Sequence, residues 1–203
     1  MEYKLEKLNE YQLKLIVLGY KGVGKSSLLL KFCENIFQNN YIPTTNCEFF
    51  TNKIKLEKNL FKLQIWDIAG QNSEKLYISD TYFMSCFGII IMYDICDYSS
   101  FENLQKWYDQ IKEIKTFDIN TSIIIVGNKS DINKREVSRE EGIKLAEYCN
   151  NALFMEISSK TIKEIELVFY TLISNIYNKM TKNILYKKTD YFEVDDNCCK
   201  RCC

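Results

Sequence analysis

The stretch GYKGVGKSS, residues 19–27, decides how the rest of the chain is read. Gly19, Gly24, Lys25 and Ser26 fit the pattern G-x-x-x-x-G-K-[ST]. A phosphate chain is wrapped only by backbone N–H groups that all point inward. That path needs glycines, which tolerate unusual dihedrals and let the main chain come close. The pattern assigns Gly22, Val23, Gly24, Lys25, Ser26 and Ser27 to a nucleoside triphosphate. Lys25 is the point charge for the β- and γ-phosphates, and the Ser26 hydroxyl is a ligand for Mg²⁺. The helix begun by Lys25 aims its positive dipole end at the same anion. An apolar run, QLKLIVL (12–18), precedes the loop and a helix-period run, SSLLLKF (26–32), follows it. Strand, glycine loop and helix form the context in which the motif works.

The remaining chain repeats this alternation. A polar connection (34–46) holds the only proline, Pro43. Residues 47–57 and 60–67 read as two strands joined by a tight turn. GIIIMYD (88–94), SIIIVGN (122–128) and LFMEISS (153–159) are nearly continuous apolar runs, the signature of parallel strands covered on both faces. Helices are expected over 26–32, 99–114, 138–149 and 161–180, the second and third opened by Ser-x-x-Glu capping patterns. The expected fold is α/β, a doubly wound P-loop NTPase domain with a mostly parallel six-stranded sheet and about five helices. It should occupy residues 1–180, and periodicity fades over 181–203, which reads as a flexible tail.

Composition narrows the function. With 27 basic and 27 acidic residues in 203, nothing in the bulk charge argues for nucleic acid. The absence of histidine removes His-dependent triads, His-ligated metals and His-based pH switching. The first residues lack a signal-peptide apolar core, and Glu2 excludes myristoylation. No apolar run approaches the roughly 18 residues of a membrane span. Cys33, Cys47, Cys86, Cys96 and Cys149 are scattered, as small core hydrophobes would be.

The base is named by NKSD (128–131), at the carboxyl end of an apolar strand, where open α/β sheets bind ligands. A carboxylate accepts both the ring N1–H and the exocyclic amine of guanine, whereas adenine presents an acceptor and no amine at those positions. A buried acceptor left unpaired costs about 1–3 kcal/mol. Asp131 is therefore assigned to guanine, Asn128 to the base edge and loop bracing, and Lys129 to the ring face. In SSK (158–160), Ser158 belongs to the pocket, the Ser159 N–H suits guanine O6, and the Lys160 stem suits the ring. In WDIAGQ (66–71), Asp67 suits a role beside Mg²⁺, the Gly70 N–H the γ-phosphate, and Gln71 the attacking water. Thr44 can add its hydroxyl to Mg²⁺ only when the γ-phosphate is present, which makes its loop a nucleotide sensor.

With GYKGVGKS, Thr44, DIAGQ, NKSD and SSK in this order, residues 11–180 resemble a Ras-superfamily small GTPase, most closely the Rab family. KLQIWD, YDICDYSSFENLQKW (93–107) and the terminal Cys-Cys are Rab-like. SSLLLKF and NKREVSREEGIKLA are similar to the Rab-eighteen-like branch. The resemblance implies a GTP/GDP switch in vesicle traffic, with Phe37 packing on the guanine. It also implies an exchange factor, a GTPase-activating protein, a prenyl-binding escort and effectors as partners.

Several departures fall in the segments that partners read. Thr45-Asn46-Cys47-Glu48-Phe49 replaces the family's usual IGVDF, and Ile68 and Asn72 depart from WDTAGQE. The segment after Asn72 is about one residue longer and lacks the Arg-aromatic pattern of the resemblance. Lys21 stands where the family has a small or uncharged residue. Two readings of Lys21 stay open: it crowds out an activating protein's arginine finger, or it projects into solvent. Lys21→Ser should raise activator-stimulated hydrolysis under the first.

The tail ends in Cys198, Cys199, Cys202 and Cys203, with Lys200 where a C-a-a-X signal needs cysteine. The final pair resembles the Rab geranylgeranylation signal, which implies prenyl groups on Cys202 and Cys203 and a place on the cytosolic face of an intracellular membrane. Two chains anchor stably where one does so marginally. Two functions fit the whole: a switch that hydrolyses GTP slowly, there being no recognisable arginine finger in cis, or a GTP-bound scaffold with negligible hydrolysis.

Overall fold

The computed structural model describes residues 8–37, 47–70, 75 and 78–182. The amino-terminal residues, 38–46, most of 71–77 and the tail from 183 lie outside the described set.

Six strands form one sheet: β1 (Asn9–Gly19), β2 (Glu48–Leu56), β3 (Asn59–Asp67), β4 (Cys86–Asp94), β5 (Ser122–Asn128) and β6 (Leu153–Glu156), in the order β2-β3-β1-β4-β5-β6. Only β2 runs antiparallel, hairpinned to β3; every other pairing is parallel. Five α-helices are described: α1 (Lys25–Glu34), α2 (Ser99–Glu102), α3 (Leu104–Glu113), α4 (Arg139–Tyr148) and α5 (Ile162–Lys182), besides a 3-10 turn at Asp80–Phe83.

The doubly wound arrangement follows from the two-residue period of the central strands. Leu13, Leu15 and Val17 of β1 point to one face, Ile16 and Leu18 to the other. Ile90 and Met92 of β4 and Ile124 and Val126 of β5 join the first set; Ile89, Ile91, Tyr93, Ile123 and Ile125 join the second. The first face is covered by α1 and α5, where Phe32 stacks on Phe169 at 3.7 Å between ring centroids. The second is covered by α3 and α4 through Trp107, Tyr108 and Leu145. A strand buried on both faces has no polar alternation, hence the continuous apolar runs.

Three details refine the sequence reading. The expected helix 99–114 breaks at Asn103, with α2 and α3 on either side. Its Ser99–Glu102 capping pattern is not used: α2 has no side-chain cap, and the Ser99 hydroxyl donates to Asp97 Oδ1 at 2.6 Å. At Ser138 the capping box does form, with Ser138 Oγ accepting from the Glu141 N–H and the Glu141 carboxylate accepting from the Ser138 N–H. Finally, α5 runs to Lys182, two residues past the expected end of the domain.

Ile68, Tyr20 and five cysteines have structural accounts. Ile68 is 6% exposed and packs in the α3/α4-side core, so the larger apolar side chain is accommodated by burial. Tyr20 packs against both cores at the end of β1. All five described cysteines are free thiols; Cys86 and Cys149 are buried, and the others are half-buried. Burial pushes the Cys33, Cys86 and Cys149 thiols up to about 12, as expected of inert core residues.

Candidate guanine-nucleotide site

Because β1 pairs with both β3 and β4, successive connections leave it in opposite directions, and a crevice opens at the carboxyl ends of the strands. The phosphate loop (19–24), Asp67, Asp94, Asn128 and the 157–160 segment all border this crevice.

The loop has the backbone its glycines allow. Gly22 and Gly24 have φ of 81° and 100°. Gly24 is also crowded: a Cβ there would stand 2.4 Å from Asn128 Nδ2. Lys25 opens α1 and is 5% exposed. Its ammonium turns back along the loop, donating to the Gly19 and Tyr20 carbonyls at 3.0 and 3.1 Å. Burial lowers its pKa to about 8, opposed by the negative charge of Asp67. Gly70 lies against the same loop, since a Cβ on it would meet Lys21 Cα at 2.5 Å and Lys25 Nζ at 3.0 Å. Lys21 itself is exposed. Ser27 is half-buried on the first turn of α1.

Asp67 ends β3 and is fully buried. Its Oδ2 accepts from the Ser26 hydroxyl at 2.5 Å, whereas its Oδ1 has no hydrogen-bond partner. Burial raises its pKa to about 6, with Ser26 and Lys25 pulling the other way. A buried carboxylate oxygen left without a partner is costly unless a cation or water completes it. The Ser26 and Asp67 oxygens are the hard donors that Mg²⁺ takes. Among the described residues no cluster of three or more Cys, Asp or Glu could hold a metal alone. The donor set therefore fits a cation that completes its shell with phosphate and water, as Mg²⁺ commonly does.

The base end is a side-chain lattice. Asn128, 1% exposed, donates through Nδ2 to the Val23 carbonyl at 2.7 Å. Its Oδ1 accepts from the Ser159 N–H and hydroxyl at 2.9 and 3.0 Å. One amide thus ties the phosphate loop to the 157–160 segment. This differs from the sequence expectation in one respect: the Ser159 N–H, assigned to guanine O6, is directed at Asn128, and all the bonds described for Asn128 are bracing ones. Asp131 accepts from the Ser158 hydroxyl at 2.8 Å and from Lys160 Nζ at 2.6 Å. These bonds hold its carboxyl below the usual range, Lys160 contributing most. Lys129 has a left-handed backbone (φ 67°), and its ammonium reaches Asp94 Oδ2 at 2.6 Å. Phe37 is half-buried at the end of the described residues after α1. Thr44, Gln71, Cys202 and Cys203 lie outside the described residues.

Two groups escaped the sequence reading. Asp94 borders the base end because parallel register sets it beside Asn128, a relation visible only once β4 and β5 are paired. Phe49, Trp66 and Tyr82 form an edge-on aromatic cluster, with centroids 5.1 and 5.6 Å apart. Phe49 is 40% exposed. The clue was Trp66 and Phe49 on facing strands of one hairpin.

Comparison with known proteins gives the same direction. The model of the Ras family matches residues 14–178. The Ras-related protein Rab-8A of Bos taurus is 39% identical over 182 residues, covering 89% of this chain and 86% of that protein. Rab-8A of Rattus norvegicus is 38% identical and Rab-8B of Homo sapiens 37%, both over the same shares. These relatives carry the Rab-8 name, whereas SSLLLKF and NKREVSREEGIKLA pointed to the Rab-eighteen-like branch. With the family model spanning most of the chain and the relatives nearly all of it, the chain belongs to the Ras superfamily of small GTPases, in its Rab family.

Proposed function

We propose that this Rab-family GTPase is a slow, Mg²⁺-dependent GTP/GDP switch acting on an intracellular membrane. The observation that carries the site reading is the Asn128 amide, which joins the Val23 carbonyl to Ser159 and so couples the phosphate and base ends. Gly22, Val23, Gly24, Lys25, Ser26 and Ser27 hold the phosphates, and Lys25 offsets the charge that builds on them. Ser26, Thr44 and Asp67 hold Mg²⁺, which neutralises developing phosphate charge when bound. Asp131 selects guanine, with Asn128, Lys129, Ser158, Ser159, Lys160 and Phe37 shaping the base site. The Gly70 N–H serves the γ-phosphate.

Gln71 orients the attacking water. No cis arginine is assigned here, so intrinsic turnover is slow and a GTPase-activating protein supplies the missing charge. Lys21, exposed beside Gly70, stands at the approach such a partner would use. Ordering of the loops that carry Thr44 and Gln71 would be the readout, and the Phe49–Trp66–Tyr82 cluster offers effectors an aromatic anchor. No helix among the described residues is long and apolar enough to cross a membrane. Attachment through prenyl groups on Cys202 and Cys203, with a prenyl-binding escort and an exchange factor as further partners, supports action in vesicle traffic.

Single-turnover hydrolysis of preloaded GTP tests this reading against the scaffold alternative. A slow rate that falls further in Gln71→Leu is expected. A negligible rate in both proteins would favour a GTP-bound scaffold.

A further inference from the structure

Lys129 is an unusual residue to find with a left-handed backbone. At φ 67° its Cβ crowds the following carbonyl, a conformation that ordinary side chains avoid. The strain reverses the chain at the end of β5 and sends the lysine stem back toward β4. There the ammonium meets Asp94 Oδ2 at 2.6 Å. Asp94 is in register with Asn128, the residue before the reversal.

The carboxylate that receives Lys129 is itself fixed. Asp94 is 8% exposed. Its Oδ1 accepts from the Cys96 N–H at 2.9 Å, leaving Oδ2 for the lysine. Its own N–H donates to the Ser100 hydroxyl at 2.9 Å, and that hydroxyl donates to the Asp97 carbonyl at 2.7 Å. The Ile95 N–H donates to the Asn128 carbonyl at 3.1 Å. Both strand ends and the start of α2 thus hold one acceptor in place. An ion pair whose lysine is one-third exposed contributes little to folding. Its consequence is geometric: a stem anchored at both ends has lost most of its rotamers before a base arrives.

We infer that Asp94 is a positioning residue for guanine-nucleotide retention, holding the Lys129 stem across the strand ends where the base ring lies. The inference rests on the proposed placement of Lys129 against that ring. Pre-ordering a stem prolongs the bound state and leaves the encounter rate alone, because most affinity tuning of a formed site appears in dissociation.

The test uses the full-length protein, wild type and with Lys129→Ala, Asp94→Asn or both. Fluorescently labelled GDP is loaded and then chased with excess unlabelled GDP, and association is measured separately. Asp94→Asn keeps an oxygen for the Cys96 N–H and replaces the oxygen facing Lys129 with an amide N–H₂, removing both the charge and the acceptor, and melting in saturating GDP checks that it folds. The expected result is release about tenfold faster in Asp94→Asn, the scale of a lost charged hydrogen bond, with association unchanged. The double variant should release no faster than Lys129→Ala alone, since the two residues act as one unit. Wild-type release from Asp94→Asn beside fast release from Lys129→Ala overturns the role of Asp94 and leaves the base site standing. Effects that multiply in the double variant, or slowed association, overturn it as well. Unchanged release from Lys129→Ala overturns the underlying placement, and the inference with it.

Discussion

The two ends of the nucleotide site are built in opposite ways. The phosphate end is local and made mostly of backbone: one loop, two glycines with positive φ, and the buried Lys25, with Asp67 and Gly70 reaching it from beyond the loop. The base end is made of side chains drawn from three separate strand ends, 94, 128–131 and 158–160, joined by Asn128, Asp131 and Lys129. A backbone cradle serves any polyphosphate. A lattice of directed side chains discriminates, because an unmatched ligand leaves buried groups unpaired.

If that division is real, damage to each end should have a different signature. The largest effect is expected from Gly24→Ala. A left-handed backbone costs alanine roughly 1–2 kcal/mol, and the new Cβ would overlap Asn128 Nδ2. Nucleotide affinity should fall by at least about 100-fold, given that each 1.4 kcal/mol is tenfold. Titration with GDP and ADP would show both lost together, since the phosphate cradle serves either nucleotide.

Asn128→Ala comes next and attacks the joint between the ends. It strips the Val23 carbonyl and the Ser159 N–H of partners, each such orphan costing about 1–3 kcal/mol. The unfolding midpoint should drop by about 5–10 °C, at roughly 2–4 °C per kcal/mol for a domain of this size. Scanning calorimetry at saturating GDP reads it, and a drop under 2 °C would mean that the two ends are not coupled through this amide.

The smallest effect sharpens the comparison from outside the site. Ser138→Ala removes the capping box of α4, at a cost of about 1 kcal/mol. Stability should fall by a few degrees, with GDP release unchanged. Faster release would show that α4 feeds the base end and that the division is too sharp.

The same contrast explains what was legible in the sequence. Gly19 to Ser26 are contiguous, so the phosphate loop could be placed before any strand was paired. The buried strands β1, β4 and β5 were equally visible, because burial on both faces leaves apolar runs without alternation. NKSD and SSK were visible as pieces, but their wiring was not. Nothing in a linear reading sends the Ser159 N–H to Asn128 or Lys129 to Asp94, since both depend on the register of neighbouring parallel strands. The break at Asn103 was missed for a related reason. Ser99 and Glu102 look like a cap, yet Asp97 takes the Ser99 hydroxyl and the capping bond goes unmade.

The most direct test is the affinity of wild type and Asp131→Asn for GDP and for ADP, measured at one Mg²⁺ concentration. A carboxylate that reads guanine should give wild type a strong preference for GDP. In Asp131→Asn, GDP affinity should fall by about 10–100-fold, the cost of a lost hydrogen bond to a charged group, while the weak ADP binding stays where it was. Equal loss for both nucleotides, or no preference for GDP in wild type, would contradict a base end that selects and a phosphate end that holds.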